Sequence, residues 1–380
     1  MLKNKIYRYF LIEIAKSFLT ILFAFTAIAW TVRAVNFLDL IVDSGHALET
    51  YAIYSMLNIP GIITRFIPLS FLLALILSII KFERQNELLI LWTTGLKKIS
   101  LANLFFKISF LILLIQLLFA VYITPYALNK SRTLIRTSNF DSLSAVIKER
   151  SFTDSFEAIT FFVDKKDGNN TMENIFIRDN GNVLNNIIPK DDNETNTTIF
   201  AKKGIINNKK LILFDGIIQN LSKSSDLENI YFKKTEIIID TLRPRTIKDP
   251  KLQETTTLTL INCALKFRNN DNKFYNCPIL RGSSKNIIEV IARRIGMPIY
   301  IPLISLICCF MLSAVKKKKF KTLNKYIYFL ISFFILIFAE ILVRYSGFSD
   351  LNTSMYFLTP LILIPTIYLL LIKKLTFYKN

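Results

Sequence analysis

"KFERQNELLILWTTGLKK", residues 81–98, lies between two of the most apolar segments of the chain and carries charges at both of its ends. Glu83 and Glu87 come first and Lys97 and Lys98 last, the order that suits a helix dipole. Leu88, Leu91, Trp92 and Leu96 recur at helical spacing, and Gly95 stands where a helix C-cap is expected. The stretch reads as a short amphipathic helix over about 82–96. Two readings remain open on this pattern: a helix resting on a lipid surface, or a docking helix for a soluble partner. An apolar knob flanked by acids would suit a basic-rimmed groove.

The segments on either side decide the class of protein. The chain is 52% hydrophobic with a mean hydropathy of +0.39, too apolar for an ordinary soluble protein of this length. Windows of about twenty residues give six spans, Phe10–Val35, Ile53–Ile80, Leu101–Ala127, Ile295–Val315, Ile327–Val343 and Met355–Ile372. The net charge of +20 would point to nucleic acid in a soluble protein, but here the positions matter more. Lys3, Lys5, Arg8 and Lys16 precede span one, and Lys81, Arg84, Lys97 and Lys98 follow span two. Lys316–Lys319, Lys321 and Lys325 follow span four, and Lys373, Lys374 and Lys379 end the chain. Only Glu13, Glu83 and Glu87 oppose them. The positive-inside rule then places all four segments and both termini in the cytoplasm, and a nucleic-acid partner is not expected. Span one is too long for a cleaved leader and is expected to act as a signal anchor. "MLKNKIYRYFLIEIA" at the start reads equally as an amphipathic surface helix or as the wet end of span one.

Between spans three and four the pattern changes. "EAITFFVD" (157–164), "ENIFIRD" (173–179), "KLILFDGIIQN" (210–220) and "KKTEIIIDT" (233–241) have strand length and strand composition, and "DGNN" and "DNGN" punctuate them. The expected layout is an N-terminal membrane half, 1–127, an inserted all-β sandwich or jelly roll, 128–290, on the far side of the membrane, and a C-terminal membrane half, 291–380. Asn-x-Ser/Thr triplets occur here at the frequency expected of an Asn-rich chain. Cys263 and Cys277 fall in the exported part, where a disulfide is compatible with the compartment. Cys308 and Cys309 fall in span four as small packing residues.

Catalytic chemistry finds little footing. His46 is the single histidine, far from any serine or cysteine elbow, and no phosphate-cradling GxxxxGK[ST] is present. No metal-ligand spacing appears either. Charges in or near the spans (Arg33, Arg65, Lys107, Arg293, Arg294, Glu340, Arg344) cost about 2.5–3.5 kcal/mol each at mid-bilayer, and most lie near span ends where long side chains reach the interface. Arg33 follows "AIAWTV" at the external end of span one. It reads either as an interfacial anchor or as a site for an anionic headgroup. Glu340 and Arg344 have the i,i+4 spacing of a pair on one helix. Pro60 and Pro68 interrupt span two.

Taken in order, "YRYFLIEIAKSF" (7–18), "IPGIITRFIPLSFLLALI" (59–76), "RQNELLILWTTGL" (84–96), "YITPYA" (122–127), the strand runs and "IEVIARRIGMPI" (288–299) resemble the lipopolysaccharide export permease family of LptF and LptG type. The likeness is sharpest at 84–96, and it leans to the F type. The resemblance implies a fold of six transmembrane helices, three plus three, with an inserted jellyroll-like periplasmic domain. It implies an inner-membrane permease subunit of an ABC-type exporter that extracts lipopolysaccharide. Its partners would be a cytoplasmic nucleotide-binding ATPase dimer, a paralogous second permease and a periplasmic jellyroll bridge protein. No cofactor is expected in this chain, because ATP and Mg would be bound by the ATPase. Carried over by position, Glu87 is the acid that contacts the ATPase, with Glu83, Arg84, Leu91, Trp92 and Gly95 around it, and Arg33 is the lipid-headgroup residue. Two other classes compete. An ATP-independent membrane transporter would favour inverted repeats and paired mid-membrane acids, and the sequence displays neither. A membrane-anchored binding or scaffold protein would do its work in the β domain alone.

Overall fold

A computed structural model describes residues 2–38, 48–137, 147, 149–156, 158–167, 171–180, 194–207, 210–222, 227–238, 251–268, 284–313 and 318–377. Asp39, Asp43, His46, Cys277, Lys316, Lys317 and Lys379 lie outside them. The chain divides into two compact units, one of Met1–Val32, Leu57–Lys130 and Asp249–Asn380, the other of Arg33–Met56 and Ser131–Lys248.

The first unit is helical. Its described elements are α1 (Leu2–Asn36, which continues into the second unit), α3 (Ile59–Arg84), α4 (Glu87–Thr93), α5 (Lys98–Leu118), a π-helical turn (Phe119–Ile123) and α6 (Thr124–Thr137, which also continues into the second unit). After the insert come α7 (Thr257–Arg268), α8 (Ser284–Cys309), α9 (Lys318–Ser346) and α10 (Asp350–Phe377); α2 (Leu48–Leu57) belongs to the other unit. Six stretches are long and apolar enough to cross a membrane, and each overlaps one of the expected spans: Lys5–Asn36, Leu48–Arg84, Lys98–Ile135, Lys285–Leu312, Lys325–Ser346 and Asp350–Thr376. The α8 stretch is the centre of the bundle, with 78% of its apolar window buried against 17% for α1 and for α10. It packs on α5 through small residues one turn apart. Ser305 Oγ donates to the Phe105 carbonyl at 3.2 Å and Cys309 Sγ to the Ala102 carbonyl at 3.8 Å. Close approach through small side chains that also supply polar contacts is what holds helices together in lipid, where apolar burial alone gains nothing.

The prolines of span two act as the sequence requires, and the bundle repairs what they break. Pro60 sits in the first turn of α3, just after the break at Asn58 that ends α2, where its missing N–H is harmless. Pro68 lies inside α3 and leaves the Thr64 carbonyl without its helical donor. Gln116 of α5, only 3% exposed, donates its Nε2 to that carbonyl over 3.5 Å. Thr64 and Thr124 hydroxyls meet at 2.8 Å, and each also reaches the Pro60 carbonyl.

Charged residues near the spans pair across helices. Glu340 of α9 pairs with Arg293 of α8, which also meets Glu289 at 3.4 Å. The i,i+4 spacing to Arg344 is therefore not the pairing used; Arg293 bridges Glu340 through Nη1 and Glu289 through Nη2. Arg294 is 6% exposed and is held by neutral acceptors: the carbonyls of Leu252, Gln253 and Thr255 and the Thr257 hydroxyl, at 2.8–3.2 Å. Thr257 in turn donates to the Val121 carbonyl in the π-helical turn at 3.0 Å. These bonds join the turn before α7 to α8 and to the π-helical turn within the helical unit. Cys308 and Cys309 are buried free thiols, and Cys263 is disulfide-bonded.

The second unit contains one six-stranded antiparallel sheet, β1 (Thr153–Phe156), β2 (Ile159–Asp167), β3 (Thr171–Asp179), β4 (Glu194–Asn207), β5 (Lys210–Ser222) and β6 (Leu227–Ile238), in sequential order. Alternation sets its faces: Ile159, Phe161 and Val163 join Ile177, Ile199, Leu211 and Leu213 in a buried core. On the opposite face one register row runs Phe162, Phe176, Phe200, Ile217, Tyr231 across five strands. Together with Phe152 it lines a groove of about 990 Å³ that also includes Lys202 and Lys233.

If Gln116 compensates Pro68, Gln116→Leu should lower thermal stability in detergent by about 1 kcal/mol. In a Pro68→Ala background, where the helix supplies its own donor, the same change should cost much less. A double-mutant cycle of unfolding midpoints checks this.

Candidate coupling site

The stretch 81–98 folds as a turn, a seven-residue helix and a second turn. The membrane helix α3 continues to Arg84, so the expected helix over 82–96 is shorter, and residues 82–84 belong to the span. Asn86 takes a left-handed conformation, φ 59°, which Asn tolerates better than most residues, and its carbonyl accepts from the Ile90 N–H at 3.1 Å. At the other end Gly95 has φ +84°. The Gly95 N–H reaches the Trp92 carbonyl at 3.2 Å and the Leu96 N–H the Leu91 carbonyl at 3.1 Å, which together close the helix with a left-handed glycine cap.

The short helix is tied at Glu87, and the end of α3 that leads into it is tied at Lys81 and Glu83. Lys325 of α9 pairs with Glu83, and both side chains are mostly shielded. Lys81 pairs with Glu13 of α1. The Tyr9 hydroxyl of α1 donates to Glu87 Oε1 at 2.8 Å. The half-exposed Lys81 pair contributes at most about 1 kcal/mol, so the shielded Glu83 pair and the packing below it matter more. That packing is aromatic: Phe10 and Phe82 rings cross edge-on at 4.4 Å.

Burial sorts the residues singled out from the sequence. Leu88 and Leu91 are 6% and 8% exposed and belong to the bundle core. Leu91 is thus placed inward. Trp92 is partly buried against the same core, with the Lys98 ammonium 5.8 Å from its ring centroid. Arg84 is exposed, whereas Glu83 and Glu87 are tied inward. The apolar knob that does face outward is Leu89 with Ile90, 60% and 59% exposed. Sequence reading missed this pair because "LLILW" is apolar at every position. The signal was Glu87, whose tie to α1 turns 88 and 91 inward and leaves 89 and 90 outside.

Arg33 lies elsewhere, in the last turn of α1, half-buried, and makes no ion pair among the described residues. Its turn is braced by the Tyr51 hydroxyl, which donates to the Ala34 carbonyl at 2.9 Å, and by Phe37 against Tyr54 at 4.9 Å.

Helices long and apolar enough to cross a membrane, with an inserted antiparallel sheet, mark a multi-pass membrane protein. A family model for the lipopolysaccharide export system permease LptF/LptG matches residues 8–374, nearly the whole chain, and the chain belongs to that family of transporter subunits. It is also 27% identical over 174 residues to an uncharacterized protein of Rickettsia prowazekii (strain Madrid E), a match covering 45% of this chain and 48% of that protein. The chain spans about half the length of this curated relative.

Gly95→Ala should destabilise the cap by about 1 kcal/mol although a methyl group there would meet no atom within 4 Å. Gly95→Asn should recover part of the loss. Protease sensitivity of the 93–97 turn in the purified protein is the readout.

Proposed function

We propose that the chain is the permease subunit of an ATP-driven lipopolysaccharide exporter in the bacterial inner membrane. It pairs with a paralogous permease, and a cytoplasmic ATPase dimer docks against the coupling segments of the two. ATP and Mg are bound and hydrolysed in the ATPase, so this chain contributes docking, motion and lipid contact rather than catalysis. Both termini are cytoplasmic and the sheet unit is periplasmic, where it passes the lipid to a jellyroll bridge protein. Membership of the family over residues 8–374 supports the class.

The observation that carries the docking step is the capped helix α4, with Leu89 and Ile90 outward and Glu83 and Glu87 tied to neighbouring helices. A helix lying on lipid would have little need for left-handed residues at both ends or for a side-chain tie at its first residue. A knob that must transmit force needs both. Burying two such side chains in a partner groove contributes about 1.5–3 kcal/mol each, enough for a hot spot. Arg33 supplies a cation for a headgroup phosphate, and the aromatic groove of the sheet offers an apolar surface to acyl chains.

Glu87→Lys, and separately the pair Leu89→Asp with Ile90→Asp, should each reduce co-purification of the ATPase by about 10-fold or more at unchanged permease levels. A Glu87→Lys permease that binds its ATPase and exports lipid normally would refute the coupling assignment. For the lipid, Arg33→Glu should weaken photo-crosslinking of lipopolysaccharide near the end of α1 several-fold, and unchanged crosslinking returns Arg33 to an anchoring role.

A further inference from the structure

Glu87 is held by a residue that the docking reading does not use. Its Oε1 accepts the Tyr9 hydroxyl at 2.8 Å, while its Oε2 is shielded and has no hydrogen-bond partner among the described residues. A carboxylate can accept about four hydrogen bonds, so Tyr9 is a large part of what fixes this one. Tyr9 is itself fixed by packing: its ring lies edge-on to Phe10 at 5.6 Å and against Phe82 at 6.3 Å. Phe10 and Phe82 are buried and in contact with each other. One turn further along the same face of α1, Glu13 pairs with Lys81. Residues 9 and 13 are i,i+4 neighbours, so α1 grips the coupling segment at two points, one before its first turn and one at the first residue of α4.

We propose that Tyr9 is a positioning residue that ties α4 to α1, so that displacement of the coupling helix is delivered to α1 as well as to the α3 and α5 spans. The inference rests on the docking reading and deepens it by naming the helix that receives the stroke. Continuity of α1 makes it a suitable receiver. It is a single helix from Leu2 to Asn36, with no internal proline and with Arg33 in its last turn. Much of its surface is exposed, including Leu19, Phe23, Ile28 and Val32, so it is the least encumbered of the helices that touch the coupling segment. The tie is one neutral hydroxyl on a carboxylate. It orients Glu87 without neutralising it.

The test uses the full permease complex with its ATPase in liposomes, comparing Tyr9→Phe with Glu87→Lys and wild type. Tyr9→Phe keeps the ring and its packing and removes only the hydroxyl. ATPase affinity should stay within about 2-fold of wild type, whereas lipid extracted per ATP hydrolysed should fall about 5-fold or more. Adding Glu13→Gln, which removes the second tie, should lower the ratio further. An unchanged lipid-to-ATP ratio in Tyr9→Phe overturns the inference and leaves the docking reading intact. Loss of ATPase binding as severe as in Glu87→Lys also overturns it, because Tyr9 would then belong to the docking surface. Normal ATPase binding by Glu87→Lys removes the docking reading, and the inference with it.

Discussion

A backbone carbonyl or N–H in hydrocarbon has no water to turn to, and every interruption of a helix must be satisfied by the protein itself. That constraint accounts for Gln116 and Arg294, two of the polar residues found deep in this bundle. Gln116 stands where Pro68 leaves the Thr64 carbonyl without its helical donor. Arg294 gathers three carbonyls that no helix satisfies. Asn86 and Gly95 let the chain leave and re-enter helical geometry within a few residues. Apolar packing fills the space between these repairs, but the repairs determine where the chain can turn.

The same rule separates what could be read in the sequence from what could not. The six spans were legible because lipid demands long uninterrupted apolar runs, and the strands because one buried face imposes alternation. The helix ends at 81–98 were partly legible, since glycine at 95 and the order of charges are local signals. Its inner and outer faces were not. In a helix of two turns the run "LLILW" presents apolar side chains all around, and the choice between Leu91 and the Leu89–Ile90 pair is made by Tyr9 and Lys325, which are remote in sequence. Glu340 illustrates the same limit: a neighbour at i+4 was visible, but the partner taken, Arg293, comes from another helix. The aromatic row of the sheet depends on strand register, which no single strand encodes.

The site is therefore built from two kinds of residue. Exposed apolar side chains offer contact, and buried or half-buried polar ones decide which way that contact is aimed. Family resemblance singles out Glu87 for its charge, and the geometry gives it an inward bond as well. Glu83 pairs with α9 and Glu87 with α1, so the two acids of the coupling segment lie against different membrane helices.

The left-handed residues on either side of α4 have a mechanical consequence. Two helical turns are too short to bow under a sideways load, so the compliance of the segment is concentrated in Asn86 and Gly95. A push at Leu89 therefore emerges as rotation about two fixed pivots, with little lost to bending. The length of the segment, short by the standards of a surface helix, is what makes it stiff.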